Sequence, residues 1–148
     1  MIVAGANELD LERVVSRREC VIAVGEGELR GDALACALHS DYFVLRQDAA
    51  ITVDTPRAWS GVVVRIGRRA LRLMSTKLTA IEARRHALCD ALDVEWLEGR
   101  SALALDSAAS LIARRGGDAL ERAEFARLFA TGEPQRGLTA FLEKRKRS

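Results

Sequence analysis

Aromatic side chains are scarce: Trp59, Trp96, Tyr42 and four phenylalanines make up 5% of the 148 residues. A core built from this chain must rest mainly on Ala, Leu and Val, which suits helices packed closely on a sheet. Stacked aromatic platforms for single-stranded nucleic acid are not expected. Cysteine is nearly as rare, and Cys20, Cys36 and Cys89 lie far apart with no CxxC pair. An odd, dispersed set fits a reduced, cytoplasmic protein better than a disulfide framework. No apolar run approaches membrane-spanning length, and the opening Met-Ile-Val-Ala-Gly has no basic flank before Glu8 and Asp10. The expectation is a chain neither exported nor embedded. An excess of one charge is also missing, since 23 Lys and Arg face 21 Asp and Glu. The net +2 is spread along the chain apart from the basic ending Lys144, Arg145, Lys146 and Arg147, so nucleic acid is not implied.

What is present is 49% hydrophobic residues, enough to bury one globular core. Ile2 to Ala4 is a short apolar run ending at Gly5, and Asn7 is a good N-cap for a helix from Glu8 to Arg18 with Leu11, Val14 and Val15 at helical spacing. Cys20 to Val24 reads as a strand buried on both faces, stopped by Gly25, Gly27 and Gly31. Asp32 to Ser40 is apolar almost all round, as an enclosed helix would be. Tyr42 to Leu45 and Ala50 to Val53 are strand candidates, the second closed by Pro56.

The helical spacing of Ala70, Leu71, Leu73 and Met74 favours one helix running from Val62 through Gly67 to Thr76. Thr79 and Glu82 form a capping-box pair ahead of Ala83 to Leu88, and Asp90 to Leu97 has room for one more strand. Ser101 to Arg115 is an amphipathic helix ending at Gly116-Gly117. Asp118 is placed as the cap of the next helix, with Leu120, Phe125, Leu128 and Phe129 on one stripe, and a last helix is expected from Gln135 to about Lys144. The division implied is a core over 1–117 followed by a helical region over 118–148.

Val21-Ile-Ala-Val-Gly25-Glu-Gly27-Glu-Leu-Arg-Gly31 imitates a dinucleotide-binding turn. Glu26 and Glu28 would set negative charge against a pyrophosphate, which argues against that reading. His39 and His86 have no carboxylate or cysteine at metal-ligand spacing, so no metal site is expected. Cys36, in an Ala-rich helix, reads as filler. No G-x-S-x-G stretch marks a nucleophile.

Four segments together resemble the crotonase (enoyl-CoA hydratase/isomerase) superfamily. Val21-Ile22-Ala23, Gly27, Gly31, Ala37 and Asp41 follow, without a gap, the family's VIAAVNG-x-A-x-GGG-x-E-L-A-x-x-CD. Leu78-Thr79-Ala80-Ile81-Glu82-Ala83 to Leu88 is similar to I-S-A-x-x-A-x-x-x-G-L, and Phe129 to Lys146 is similar to the ending F-x-T-x-D-x-x-x-G-x-x-A-F-x-E-K-R-x-P. Ala4-Gly5-Ala6-Asn7 resembles the family's A-G-A-D turn.

The resemblance implies an α/β fold of repeated ββα units, here shorter at its N-terminal side than the family's, with C-terminal helices that build a trimer or hexamer. It also implies an acyl thioester, on CoA or on an acyl-carrier protein, as substrate and no resident cofactor. Carried over by position, the oxyanion donors would be the amides of Ala6 and Asp32, and Ala4, Gly5, Gly31 and Lys144 would help hold the thioester's carrier. An enolate's developing oxyanion is stabilised by donors of this kind.

The family's first catalytic glutamate falls on Ala35, and the second falls on Thr55, with Asp54 beside it. Hydration needs acid/base groups at the β-carbon, so isomerisation or decarboxylation through an enolate is expected ahead of hydration. Asp54, Glu26 and Glu28 are the carboxylates that could serve such a site. The alternative is a non-catalytic homologue used for assembly or partner binding.

Overall fold

The computed structural model describes residues 1–17, 19–73, 76–95, 100–113 and 117–146, with the backbone alone at 112, 113, 144 and 146. It divides into two compact units, Met1–Gly99 and Arg100–Ser148.

The first unit is built by repetition. Strand β1 (Ile2–Gly5) is followed by a 3-10 turn, Ala6–Glu8, and a short helix α1 (Leu11–Val15). Then come β2 (Val21–Gly25), β3 (Glu28–Leu29), α2 (Gly31–His39), β4 (Tyr42–Leu45), β5 (Ala50–Thr52) and α3 (Pro56–Ile66), which is two successive ββα units. The first strand of each unit enters one sheet, in the order β1-β2-β4, with all pairs parallel and Ile22 opposite Tyr42. The second strand of each enters another sheet, β3-β5-β6, where β3 and β5 are parallel and β6 (Lys77–Thr79) runs antiparallel to β5. Helix α4 (Ala80–Arg85) follows β6. The ββα superhelix expected from the sequence is the architecture found.

The core lies between the sheets and α2. Ile22, Ala23, Leu34, Leu38, Phe43 and Ile51 are fully buried, mostly aliphatic as the composition requires. Helices α2 and α3 cross so closely that a Cβ on Gly61 would lie 2.5 Å from the Leu38 Cβ. Arg65, at the end of α3, donates to the carbonyls of Leu38 and Ser40 at 2.8 and 3.1 Å and pairs with Asp90 at 2.8 Å. Asp90 in turn accepts the Phe43 N–H at 2.7 Å. Arg17 grips both oxygens of Asp41 at 2.7 Å, fixing the end of α2 to the β2 strand.

Several boundaries differ from the sequence expectation. The side chain that caps α1 is Asp10, which accepts from the Arg13 N–H at 2.9 Å; Asn7 lies instead inside the preceding 3-10 turn. Helix α3 starts at Pro56 behind a Thr55 cap and stops at Gly67, whose φ of +57° is unfavourable for residues with a Cβ. The continuation Gly67–Leu73 is 3-10, so the expected single helix is broken there. The Thr79–Glu82 capping box is present. Of the strand expected over 90–97, the described residues show one bridge, Ala91 to Val44; Trp96 and Leu97 lie outside the described residues.

The second unit holds α5 (Ala102–Ala113), α6 (Asp118–Ala130) and α7 (Glu133–Lys146). Asp118 is the first residue of α6, and Gly117 holds the cap position without a side-chain bond. Arg115 and Gly116, the expected end of α5, lie outside the described residues.

Candidate active site

Parallel pairing of β1 with β2 brings the ends of both strands to one edge, and the chain then turns into Ala6–Glu8 on one side and toward α2 on the other. Ala6 is buried at the head of its 3-10 turn, which packs against α2. Gly5 donates its N–H to Glu8 Oε2 at 3.2 Å, and Ala4 is half-buried in β1. Gly31 and Asp32 open α2, where the first amides have no carbonyl four residues earlier to bind within the helix.

The loop before α3 closes on that helix end. Asp54 Oδ1 accepts the Gly31 N–H at 2.9 Å, and Arg57 pairs with Asp32 at 3.2 Å. Thr55 is committed to capping α3, accepting from the Ala58 N–H at 3.2 Å. Beside Asp32 lies an open cavity of about 630 Å³ with an aliphatic wall of Leu9, Leu11 and Val15; Asp10, Glu12 and Arg57 also line it. Cys36 at its base donates to the Leu9 carbonyl at 3.4 Å. Burial first, and then the carboxylates of Asp10 and Asp32, hold that thiol above its ordinary range, which disfavours the thiolate.

Asp54 and Arg57 thus meet the first turn of α2 directly, at Gly31 and Asp32, while Ala6 belongs to the 3-10 turn that packs on the same helix. Glu26 and Glu28 are engaged elsewhere. Glu26 pairs with Arg46 at 3.3 Å, and Glu28 with Lys77 at 3.0 Å and with the Thr52 hydroxyl at 3.3 Å. The Lys77 hydrogen bond and charge, helped by Thr52, hold the Glu28 carboxyl below the usual range. Lys144 belongs to α7 of the second unit, and its side chain lies outside the described residues. Ala35, where a glutamate was the family expectation, is fully buried in α2. Sequence reasoning missed Arg57; its only sequence signal is a position two residues after the Thr55 cap, which puts it in the first turn of a helix aimed at the site.

The glycine-rich turn itself is not a strand-to-helix phosphate turn, because β3 intervenes between Gly27 and α2. Among the described residues no cluster of three or more metal-ligating side chains occurs. No helix is long and apolar enough to cross a membrane among the same residues.

No family profile and no curated protein matches this chain. Solved structures do. An enoyl-CoA hydratase from Thermoplasma volcanium GSS1 is similar over 88% of this chain with 21% identity and a TM-score of 0.70. An enoyl-CoA hydratase from Polaromonas sp. JS666 is similar over 90%, with 21% identity and a TM-score of 0.69. An enoyl-CoA hydratase/isomerase from Marinobacter aquaeolei is similar over 90%, at 21% identity and a TM-score of 0.63. This chain spans only 62–63% of the length of those structures. Two stacked ββα units, the strand register and these likenesses agree: the chain has the crotonase fold, the fold of the enoyl-CoA hydratase/isomerase structures.

Proposed function

We propose that this chain is a member of the enoyl-CoA hydratase/isomerase family that binds an acyl thioester, on CoA or on a carrier protein, at the start of α2. The carbonyl oxygen lies between the N–H groups of Ala6 and Asp32. The observation that carries this reading is the convergence of Asp54 and Arg57 on the first turn of α2, next to a cavity with an aliphatic wall. The amides and the positive helix end favour an oxyanion there. Asp54, bonded to the Gly31 N–H beside that position, is the carboxylate assigned proton movement at an enolate, as in isomerisation or decarboxylation, rather than hydration. A second reading, a non-catalytic homologue, is favoured by Ala35 and by the commitment of Thr55 to a helix cap.

Calorimetry with acetyl-CoA and a longer acyl-CoA tests the site. Asp32→Gly is expected to keep or tighten binding, because it keeps the amide and removes a carboxylate near the oxyanion. Asp32→Pro is expected to abolish binding while the circular dichroism of the fold persists, since proline is tolerated in a first helical turn but has no N–H. A wild-type protein that binds neither thioester sinks the site, as does an Asp32→Pro protein that binds normally. Turnover of an acyl-CoA panel followed by mass spectrometry separates the enzyme from the non-catalytic homologue.

A further inference from the structure

From Thr55 to Ile81 the sequence has no acidic residue and six cations: Arg57, Arg65, Arg68, Arg69, Arg72 and Lys77. Three are matched, Arg57 to Asp32, Arg65 to Asp90 and Lys77 to Glu28. Arg68, Arg69 and Arg72 are all exposed on the 3-10 segment Gly67–Leu73 and make no ion pair among the described residues. Near them in sequence, Leu71 is 70%, Val64 68% and Val63 43% exposed.

These groups connect to the site. The exposed residues of α3 are Pro56, Arg57, Ser60, Val63 and Val64. Their spacing of three and four places them on one helix face. That face begins at Arg57, on Asp32, and ends at Gly67, where the arginines start. Eleven helical residues span about 15 Å at the ordinary rise. A thioester carrier docked on the arginines would therefore stand at the length of an extended phosphopantetheine arm from the site.

We infer that the carrier is an acyl carrier protein, an acidic helical domain, docked on Arg68, Arg69 and Arg72 with Val64 and Leu71 against its apolar residues. This rests on the thioester reading of the α2 site. The alternative carrier, CoA, would present a nucleotide, which is held in a concave pocket. Exposed aliphatic side chains at the end of α3 and unmatched guanidinium groups on the 3-10 segment that follows it instead suit the apolar and acidic face of another helix.

The test uses the full chain and a triple variant, Arg68→Glu with Arg69→Glu and Arg72→Glu, whose side chains are exposed and whose fold is checked by circular dichroism. Fluorescence anisotropy measures binding of the acyl carrier protein of fatty-acid synthesis in its apo form, without the phosphopantetheine arm, of the same protein in its acetyl-holo form, and of acetyl-CoA. The wild type is expected to bind apo-carrier with an affinity that falls as salt rises, and the variant to lose roughly tenfold or more, as charge reversal at an electrostatic interface does. Acetyl-CoA binding should be the same in both. Failure of wild type to bind either carrier form overturns the inference even if acetyl-CoA binds, and so does a variant that binds carrier normally. A parallel loss of acetyl-CoA binding would reassign the arginines to nucleotide phosphates. Capture of the wild type but not the variant by phosphatidylglycerol vesicles, with no carrier binding, would reassign them to a lipid surface. If the arginines govern apo-carrier binding while the acetyl-holo form binds no tighter and acetyl-CoA does not bind, the docking surface stands and the thioester site falls.

Discussion

Ala35 occupies a fully buried position in α2 and offers nothing that can take or give a proton. With Thr55 bonded to the Ala58 N–H, neither of the two positions at which the resemblance places a glutamate carries a carboxylate. Hydration of crotonyl-CoA should therefore be weak or absent, and steady turnover at ordinary enzymatic rates, on the order of 1–1000 per second, would contradict the assignment. His39 gives a prediction of a different kind. Burial first, then the nearby Arg17 and Arg65 charges, holds its imidazole below the ordinary 6.5. The unfolded chain thus binds a proton that the folded chain resists. Stability from this source is complete above the ordinary value and is lost as pH falls from there toward the lower folded one. His39→Gln should flatten the fall in urea midpoint between about pH 7 and pH 5; an unchanged slope would show that other groups set it. The sequence placed His39 in a helix, where it lies, but the guanidinium groups around it come from residues 22 positions before and 26 after, which no local pattern reveals.

At the scale of elements, the close crossing of α2 and α3 is specified by Gly61. Gly61→Ala would force a methyl to within 2.5 Å of the Leu38 Cβ, a backbone-proximal atom that cannot swing aside. A loss of about 1–3 kcal/mol in denaturant unfolding is expected from such overpacking, and a neutral variant would mean the helices can separate freely. The elements that were legible before the structure were those with local instructions. The buried β2 run, the apolar α2 and the Thr79–Glu82 box each carry their own signal. The α3 helix was harder to read, because Val62 to Val64 have strand propensity and the decisive features lie at its ends, a Thr55-Pro56 start and a left-handed Gly67. The turn and the α2 helix behind it were legible, and Asp54 was named from the sequence as a candidate carboxylate. Its bond to the Gly31 N–H and the pairing of Arg57 with Asp32 were not, because those contacts span 23 and 25 residues of sequence.

For the molecule as a whole, the helical unit presents Phe125, Phe129, Leu138, Phe141 and Leu142 to solvent, with the rings of Phe125 and Phe129 4.5 Å apart. Apolar surface of that extent drives association. Sedimentation of the wild type at micromolar concentration should show an oligomer, and Phe125→Asp with Phe141→Asp should shift it toward monomer; a monodisperse wild-type monomer would refute this. The trimeric count follows from the resemblance alone. Arg65 has a consequence of its own. Its guanidinium ties the last carbonyls of α2 to Asp90, 25 residues further on, which itself holds the β4 amide of Phe43, so α2, β4 and α3 share a single polar knot. Amide protons in α2, α3 and β4 should then exchange with solvent through one common opening event, with closely matched protection. Arg65→Lys, which retains the charge and loses the forked donors, should resolve that event into separate openings, α3 exchanging first while β4 stays protected.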